Sequence, residues 1–138
     1  MNTENQEPLD PWYVTGLIEG EGSFTYNRSG KNWIMIFAVK LNHKNRPILE
    51  ELLTFFGVGK IYEVSGTKAS AFYRVSKQEE LEQIIDHFER FPLKGMKHES
   101  YQVWKQMVVL KAQSFRKPPN EALEELSKQL SASTVRGG

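Results

Sequence analysis

A chain of 138 residues with 18 Lys+Arg, 17 Asp+Glu and 12% aromatics has the size of one domain and enough large apolar side chains to build a core. The absence of Cys excludes disulfides, thiolate zinc sites and cysteine nucleophiles, and three scattered histidines (His43, His87, His98) are a poor basis for an all-histidine metal site within one chain. No apolar run approaches the ~18 residues of a membrane span, and the polar start MNTENQEPLD resembles neither a signal nor a transit peptide, so a soluble intracellular chain of a reducing compartment, with no membrane partner, is expected.

Residues 1–9 read as a flexible arm. Asp10 as N-cap with Pro11 at the first helical position predicts a helix to about Gly20. Gly22–Ser29 reads as a strand with Phe24 and Tyr26 on one face and Ser23, Thr25, Asn27 and Ser29 on the other. A turn over 27–32 leads to a second strand whose core face is Trp33, Met35, Phe37, Val39 and Leu41. Pro47 opens a second helix with Ile48, Leu49, Leu52, Leu53 and Phe56, and Gly57 stops it. Lys60–Val64, a turn at Ser65-Gly66, and Ala71–Val75 form a second hairpin. Ser76 and Glu79 have capping-box spacing ahead of a third helix with Leu81, Ile84, Ile85 and Phe88 on one face. A fourth helix carries Tyr101, Trp104, Val108 and Phe115. Pro118-Pro119 breaks it, and Asn120 caps a last helix with Leu123, Leu126 and Leu130. The expected architecture is α+β, an αββαββα order with a four-stranded antiparallel sheet, helices on one face and extra C-terminal helices. A single domain over 10–131 and a flexible tail over 132–138 complete it.

The net charge of +1 conceals an uneven distribution. Residues 1–22 carry −5, residues 23–77 carry +6, and residues 78–138 are balanced. A basic middle on an open sheet face fits a phosphate-binding surface, although any surface shows such fluctuations.

The first helix is written against its own stability. Gly16 and Gly20 lie four apart on one face, and each costs about 1 kcal/mol relative to Ala. Gly at that spacing admits a second helix backbone at close range. Glu21 then falls at the helix C-terminus, where the macrodipole disfavours an anion by ~0.3–1 kcal/mol. A carboxylate beside the Gly20 backbone carbonyl suits a hard divalent cation. A solvated Glu21 beside a capping Gly22 is the plainer reading, and composition does not choose between the two.

Val14-Thr15-Gly16-Leu17-Ile18-Glu19-Gly20-Glu21-Gly22, followed by Ser23-Phe24, resembles the motif of the LAGLIDADG homing endonucleases, with Glu at both acidic places. Phe56-Gly57-Val58-Gly59-Lys60-Ile61 is similar to the family's junction between helix and third strand. Phe91-Pro92-Leu93-Lys94-Gly95-Met96-Lys97, with Tyr101 and Trp104-Lys105, is similar to its late lysine-bearing segment.

The resemblance implies the αββαββα homing-endonuclease fold, with a saddle of antiparallel strands in the DNA major groove and motif helices packed in pairs. Single-motif members act as homodimers, which assigns Trp12, Gly16, Leu17 and Gly20 to a dimer interface. Glu21 takes the family's metal-binding place with Gly20 beside it, and Glu19 the structural one. The implied cofactor is Mg²⁺, with Ca²⁺ or Mn²⁺ able to substitute in binding. A basic residue near the catalytic water falls on Lys97 or, second, Lys94, each of which is otherwise a solvated lysine. A polar residue that the family often has at the end of the second strand is replaced by Leu41, between Lys40 and Asn42.

Candidate DNA contacts are Ser23, Thr25, Asn27, Arg28, Lys31, Asn32, Lys40, Lys60, Tyr62, Lys68 and Arg74. Arg74, between Tyr73 and Val75, suits a bidentate guanine contact, and Lys31 and Lys68 in turns suit phosphates. Ile34, Ile36 and Ala38 either meet thymine methyls or pack under turns. The expected function is site-specific cleavage of double-stranded DNA at a long pseudo-palindrome by metal-assisted phosphodiester hydrolysis. An RNA-splicing maturase, with RNA as partner, or a non-cleaving DNA-binding regulator is the alternative on the same scaffold.

Overall fold

The structure is a computed structural model describing residues 7–64, 66, 69–114 and 119–137, with side chains described through Ser133. The elements run α1 (Pro11–Glu21), β1 (Gly22–Ser29), β2 (Asn32–Asn42), a 3₁₀ turn (His43–Asn45), α2 (Arg46–Phe56), β3 (Lys60–Val64), β4 (Ser70–Val75), α3 (Gln78–Arg90), α4 (Met96–Gln113) and α5 (Asn120–Gly137). The four strands form one antiparallel sheet in the order β1-β2-β4-β3. This is the α+β architecture expected from the sequence, with the two hairpins joined through β2 and β4.

Local chemistry sets most boundaries. The Asp10 carboxylate accepts the Trp12 N–H at 2.7 Å, capping α1 with Pro11 in its first turn. Gly57 ends α2 at φ 74°, and Gly59 at φ 93° opens β3, where a Cβ would stand 2.8 Å from the Tyr73 ring. These two left-handed positions explain the glycines of the 56–61 segment.

Several boundaries differ from the sequence reading. The first turn shrinks to Gly30-Lys31, because Ser29 pairs with Asn32. α3 begins at Gln78 with Lys77 as N-cap and no side-chain cap bond, so the Ser76–Glu79 box does not form. Asn120 is the first residue of α5, and its amide oxygen accepts the Trp33 indole N–H at 2.9 Å. α5 runs to Gly137. Residues 1–6 of the arm, Ser65, Lys68, Phe115 and Pro118 lie outside the described residues.

The core lies between the sheet and the helices. Trp33, Met35, Phe37 and Val39 of β2 are buried as expected, with Leu41 partly buried against them. Phe24 meets the rings of Phe37, Phe88, Tyr101 and Trp104 at 5.1–5.6 Å. The Trp104 indole donates to the Thr25 carbonyl at 3.0 Å, tying α4 to β1.

His87, not the half-buried Ile85, completes the packed face of α3. The Thr15 hydroxyl donates to the Phe91 carbonyl at 2.8 Å, and its oxygen lies 3.0 Å from His87 Nε2. A hydroxyl has one hydrogen, so the imidazole is the donor in this chain of bonds. Burial, aided by Arg90 and opposed by Asp86, lowers the His87 pKa from 6.5 to about 4. Above pH 6.5 both states are neutral and the group contributes no pH dependence. Between 6.5 and about 4 the unfolded chain takes up a proton that the folded chain refuses. Stability is therefore expected to fall across that window by up to about 3 kcal/mol. His87→Gln should flatten this slope in urea titrations at stepped pH.

Candidate functional site

The site begins where α1 delivers the chain into β1. Val14, Thr15 and Ile18 are buried under α1, while Trp12, Tyr13, Gly16 and Gly20 face outward and Leu17 is half-buried. A Cβ on Gly16 or Gly20 would find no atom within 4 Å. Among the described residues, nothing occupies the space that would require either glycine. By contrast, a Cβ on Gly22 would stand 2.5 Å from Ile18 Cγ2, so Gly22 serves the turn from helix to strand.

Glu19 and Glu21, two residues apart, have different surroundings. Glu19 Oε1 accepts the backbone N–H of Lys94 at 2.7 Å and of Gly95 at 3.2 Å, fastening α1 to the start of α4. Glu21 is the last residue of α1 and is exposed. Beside it, Lys97 Nζ donates to the Gly22 carbonyl at 2.6 Å. A groove of about 740 Å³ opens at this corner, lined in part by Gly20, Ser23, Thr25, Met96 and Lys97.

The donors here are oxygens, namely the Glu21 carboxylate and the carbonyls that the end of a helix leaves without intrahelical partners. That set suits a hard divalent cation and excludes thiophilic metals. Among the described residues, no group of three or more His, Asp or Glu is placed to hold a metal. One carboxylate does not by itself make a closed protein site for a metal.

The open sheet face is read from the register. One row crosses all four strands as Ser23, Ala38, Arg74 and Lys60. The next row is Lys40, Phe72 and Tyr62, and beyond it lie Asn42, Ser70 and Val64. Toward the first turn, Thr25 opposes Ile36 and Asn27 opposes Ile34. The only acid in the strands, Glu63, shares its row with Ala71 on the helix side. The face therefore carries Lys40, Lys60 and Arg74 and no carboxylate. Among the described residues none of these three forms an ion pair.

Most expected contacts lie on this face: Ser23, Thr25, Asn27, Asn32, Lys40, Lys60, Tyr62 and Arg74, with Lys31 exposed in the adjoining turn. Arg28 does not. It alternates with Phe24 and Tyr26 toward the helices, pairs with Glu124 at 2.7 Å and sits 4.4 Å over the Trp33 ring. Lys68 lies outside the described residues. Lys94 contributes its backbone N–H to Glu19, and Lys97 is the lysine whose ammonium reaches the corner. Trp12, assigned to the interface, packs edge-on against Phe91 at 5.2 Å yet remains 53% exposed. Ile36 is 5% exposed and Ile34 half-buried, which favours packing over reading at Ile36. Two further residues lie on these faces. Tyr13 is 48% exposed beside Gly16, and Phe72 stacks on Tyr62 at 5.2 Å. Counting back three from Gly16 and two from Arg74 would have found both.

A family model described as LAGLIDADG endonuclease matches residues 14–108. The chain is 32% identical over 123 residues to the Schizosaccharomyces pombe protein named "Probable intron-encoded endonuclease Cox1-I1b", covering 83% of this chain and 31% of that one. Its fold is similar to that of the LAGLIDADG meganuclease I-AabMI bound to uncleaved DNA (TM-score 0.79, 28% identity, 86% of this chain and 44% of that chain). It is also similar to I-SmaMI bound to an uncleaved DNA target with calcium ions (TM-score 0.71, 28% identity, 91% and 43%). The chain thus spans about a third of that curated relative and under half of each solved structure, which leaves those chains room for a second unit of this size.

Because the space over Gly16 is empty within the chain, Gly16→Leu should leave the fold intact by circular dichroism. If a helix partner docks on that face, the variant should block it, and sedimentation velocity should then show the variant one association step below the wild type.

Proposed function

Because this chain belongs to the LAGLIDADG endonuclease family, we propose that it is a site-specific, divalent-metal-dependent endonuclease of double-stranded DNA, working as a homodimer and preferring Mg²⁺. The observation that carries the reading is the pairing of an exposed Glu21 with a cationic, carboxylate-free sheet face on the same unit. Relatives named as endonucleases and neighbours solved with DNA support it over an RNA-splicing or non-cleaving role.

The chain's own residues divide the work. Lys40, Lys60 and Arg74 attract the backbone and hold the duplex against the sheet, with Arg74 shaped for guanine O6 and N7. Tyr13, Gly16, Leu17 and Gly20 bring a second α1 close enough for two Glu21 side chains to approach one another. Each Glu21, with the Gly20 carbonyl, would supply oxygen ligands to a divalent cation, the remaining ligands coming from the DNA and water. A bound Mg²⁺ would contribute Lewis acidity and a water of lowered pKa. Lys97 holds positive charge at the same corner, where a phosphate oxygen gains negative charge during hydrolysis. Leu41 faces the helices, so Lys40 and Asn42 are the side chains that the end of β2 offers to the water.

Glu21→Gln keeps shape and removes the anionic ligand. It should bind the duplex with unchanged affinity and lose cleavage in Mg²⁺. Full cutting by that variant on a supercoiled library would overturn the assignment. Arg74→Ala should cost about 1–3 kcal/mol at one position of each half-site. Lys31→Ala should weaken all sequences alike and lower the salt slope by about one per subunit.

A further inference from the structure

The stacked Phe72–Tyr62 pair stands on the open sheet face, in the same row as the exposed Lys40. Tyr62 is 43% exposed, Phe72 is half-buried, and the rings lie 5.2 Å apart at 22°. Both belong to the row of Lys40, immediately beside the row of Arg74 and Lys60. Pairing two strands does not need this. Cross-strand aromatic contacts add ~0.2–1 kcal/mol, and a half-exposed polar pair would avoid leaving apolar area in water.

Resting on the proposed function, we infer that the Phe72–Tyr62 stack is a specificity element that reads the 5-methyl group of a thymine in each half-site. The occupant follows from the surroundings. The face is cationic and holds no carboxylate, which suits a polyanion. The apolar group that a DNA major groove presents at a base edge is the thymine methyl. Spacing then fixes where it lies. Phe72 and Arg74 are two residues apart on one strand, about 6.8 Å at ~3.4 Å per residue. Successive bases on one strand of DNA also advance ~3.4 Å. The thymine is therefore expected two base pairs from the guanine contacted by Arg74, with one unread pair between them.

The test begins by selecting duplexes from a random library with the full chain in Ca²⁺, then replacing each thymine of the selected site by deoxyuridine, one at a time. Deoxyuridine removes only the methyl, so a purely structural role for the stack leaves binding unchanged. Wild type is expected to lose about fourfold in affinity at one thymine per half-site, the scale of one buried methyl. Phe72→Ala is expected to bind the thymine and deoxyuridine duplexes equally there, while keeping its discrimination at the guanine two pairs away. Phe72→Leu, which keeps apolar bulk, should restore part of the difference. Absence of any deoxyuridine-sensitive thymine, or sensitivity that persists in Phe72→Ala, would overturn the inference and leave the endonuclease reading standing. If the library yields no enriched duplex at all, both fall together.

Discussion

The carboxylate of Glu19 joins the last turn of α1 to the residues that lead into α4, and the geometry of the Glu21 corner follows from that joint. An anion in the last turn of its own helix is disfavoured by the macrodipole. Here the carboxylate accepts the backbone N–H groups of Lys94 and Gly95, at the positive end of α4. Gly95 permits the approach, since a Cβ there would lie 3.1 Å from Glu19 Oε2. With the two ends fastened, Lys97 reaches the Gly22 carbonyl. Glu21 sits between these two tie points and takes part in neither. Its position is imposed by its neighbours, which leaves its oxygens for other work.

What the sequence revealed, and what it hid, follows from the range of the forces involved. Asp10-Pro11, Gly57 and the alternation of β2 act within a few residues, so the ends of α1 and α2 and the core face of Trp33, Met35, Phe37 and Val39 were legible. The family motif located Glu21 and the exposed glycines. Arg28 was misplaced because a turn was assumed to begin at Asn27. The same two-residue period that turns Phe24 and Tyr26 toward the helices also turns Arg28 to that side, where it pairs with Glu124. The tie from Glu19 to Lys94 spans 75 positions in sequence and has no local signature. Nor does the His87–Thr15 bond, spanning 72. Ser76 failed as a cap because Lys77 intervenes, extended at ψ 131°, before the helix starts.

A chain with net charge +1 is an unpromising DNA ligand until its charges are sorted by face. Arg28 is held by Glu124, Arg46 by Glu50 and Glu63, and Lys105 by Glu89, all on the helical side. That pairing removes about as much positive as negative charge from view. What remains toward the sheet is Lys40, Lys60 and Arg74. At physiological ionic strength, charges more than ~8 Å apart are largely screened, so the two sides act separately. The same separation explains why α1 tolerates two glycines costing about 1 kcal/mol each. Its buried half holds the fold through Val14, Thr15 and Ile18, while on its open half Gly16 and Gly20 have no described neighbour within 4 Å of where a Cβ would stand. A helix whose sequence satisfies its own core on one side leaves bare backbone at Gly16 and Gly20 on the other, and it is there that the proposed second α1 would dock.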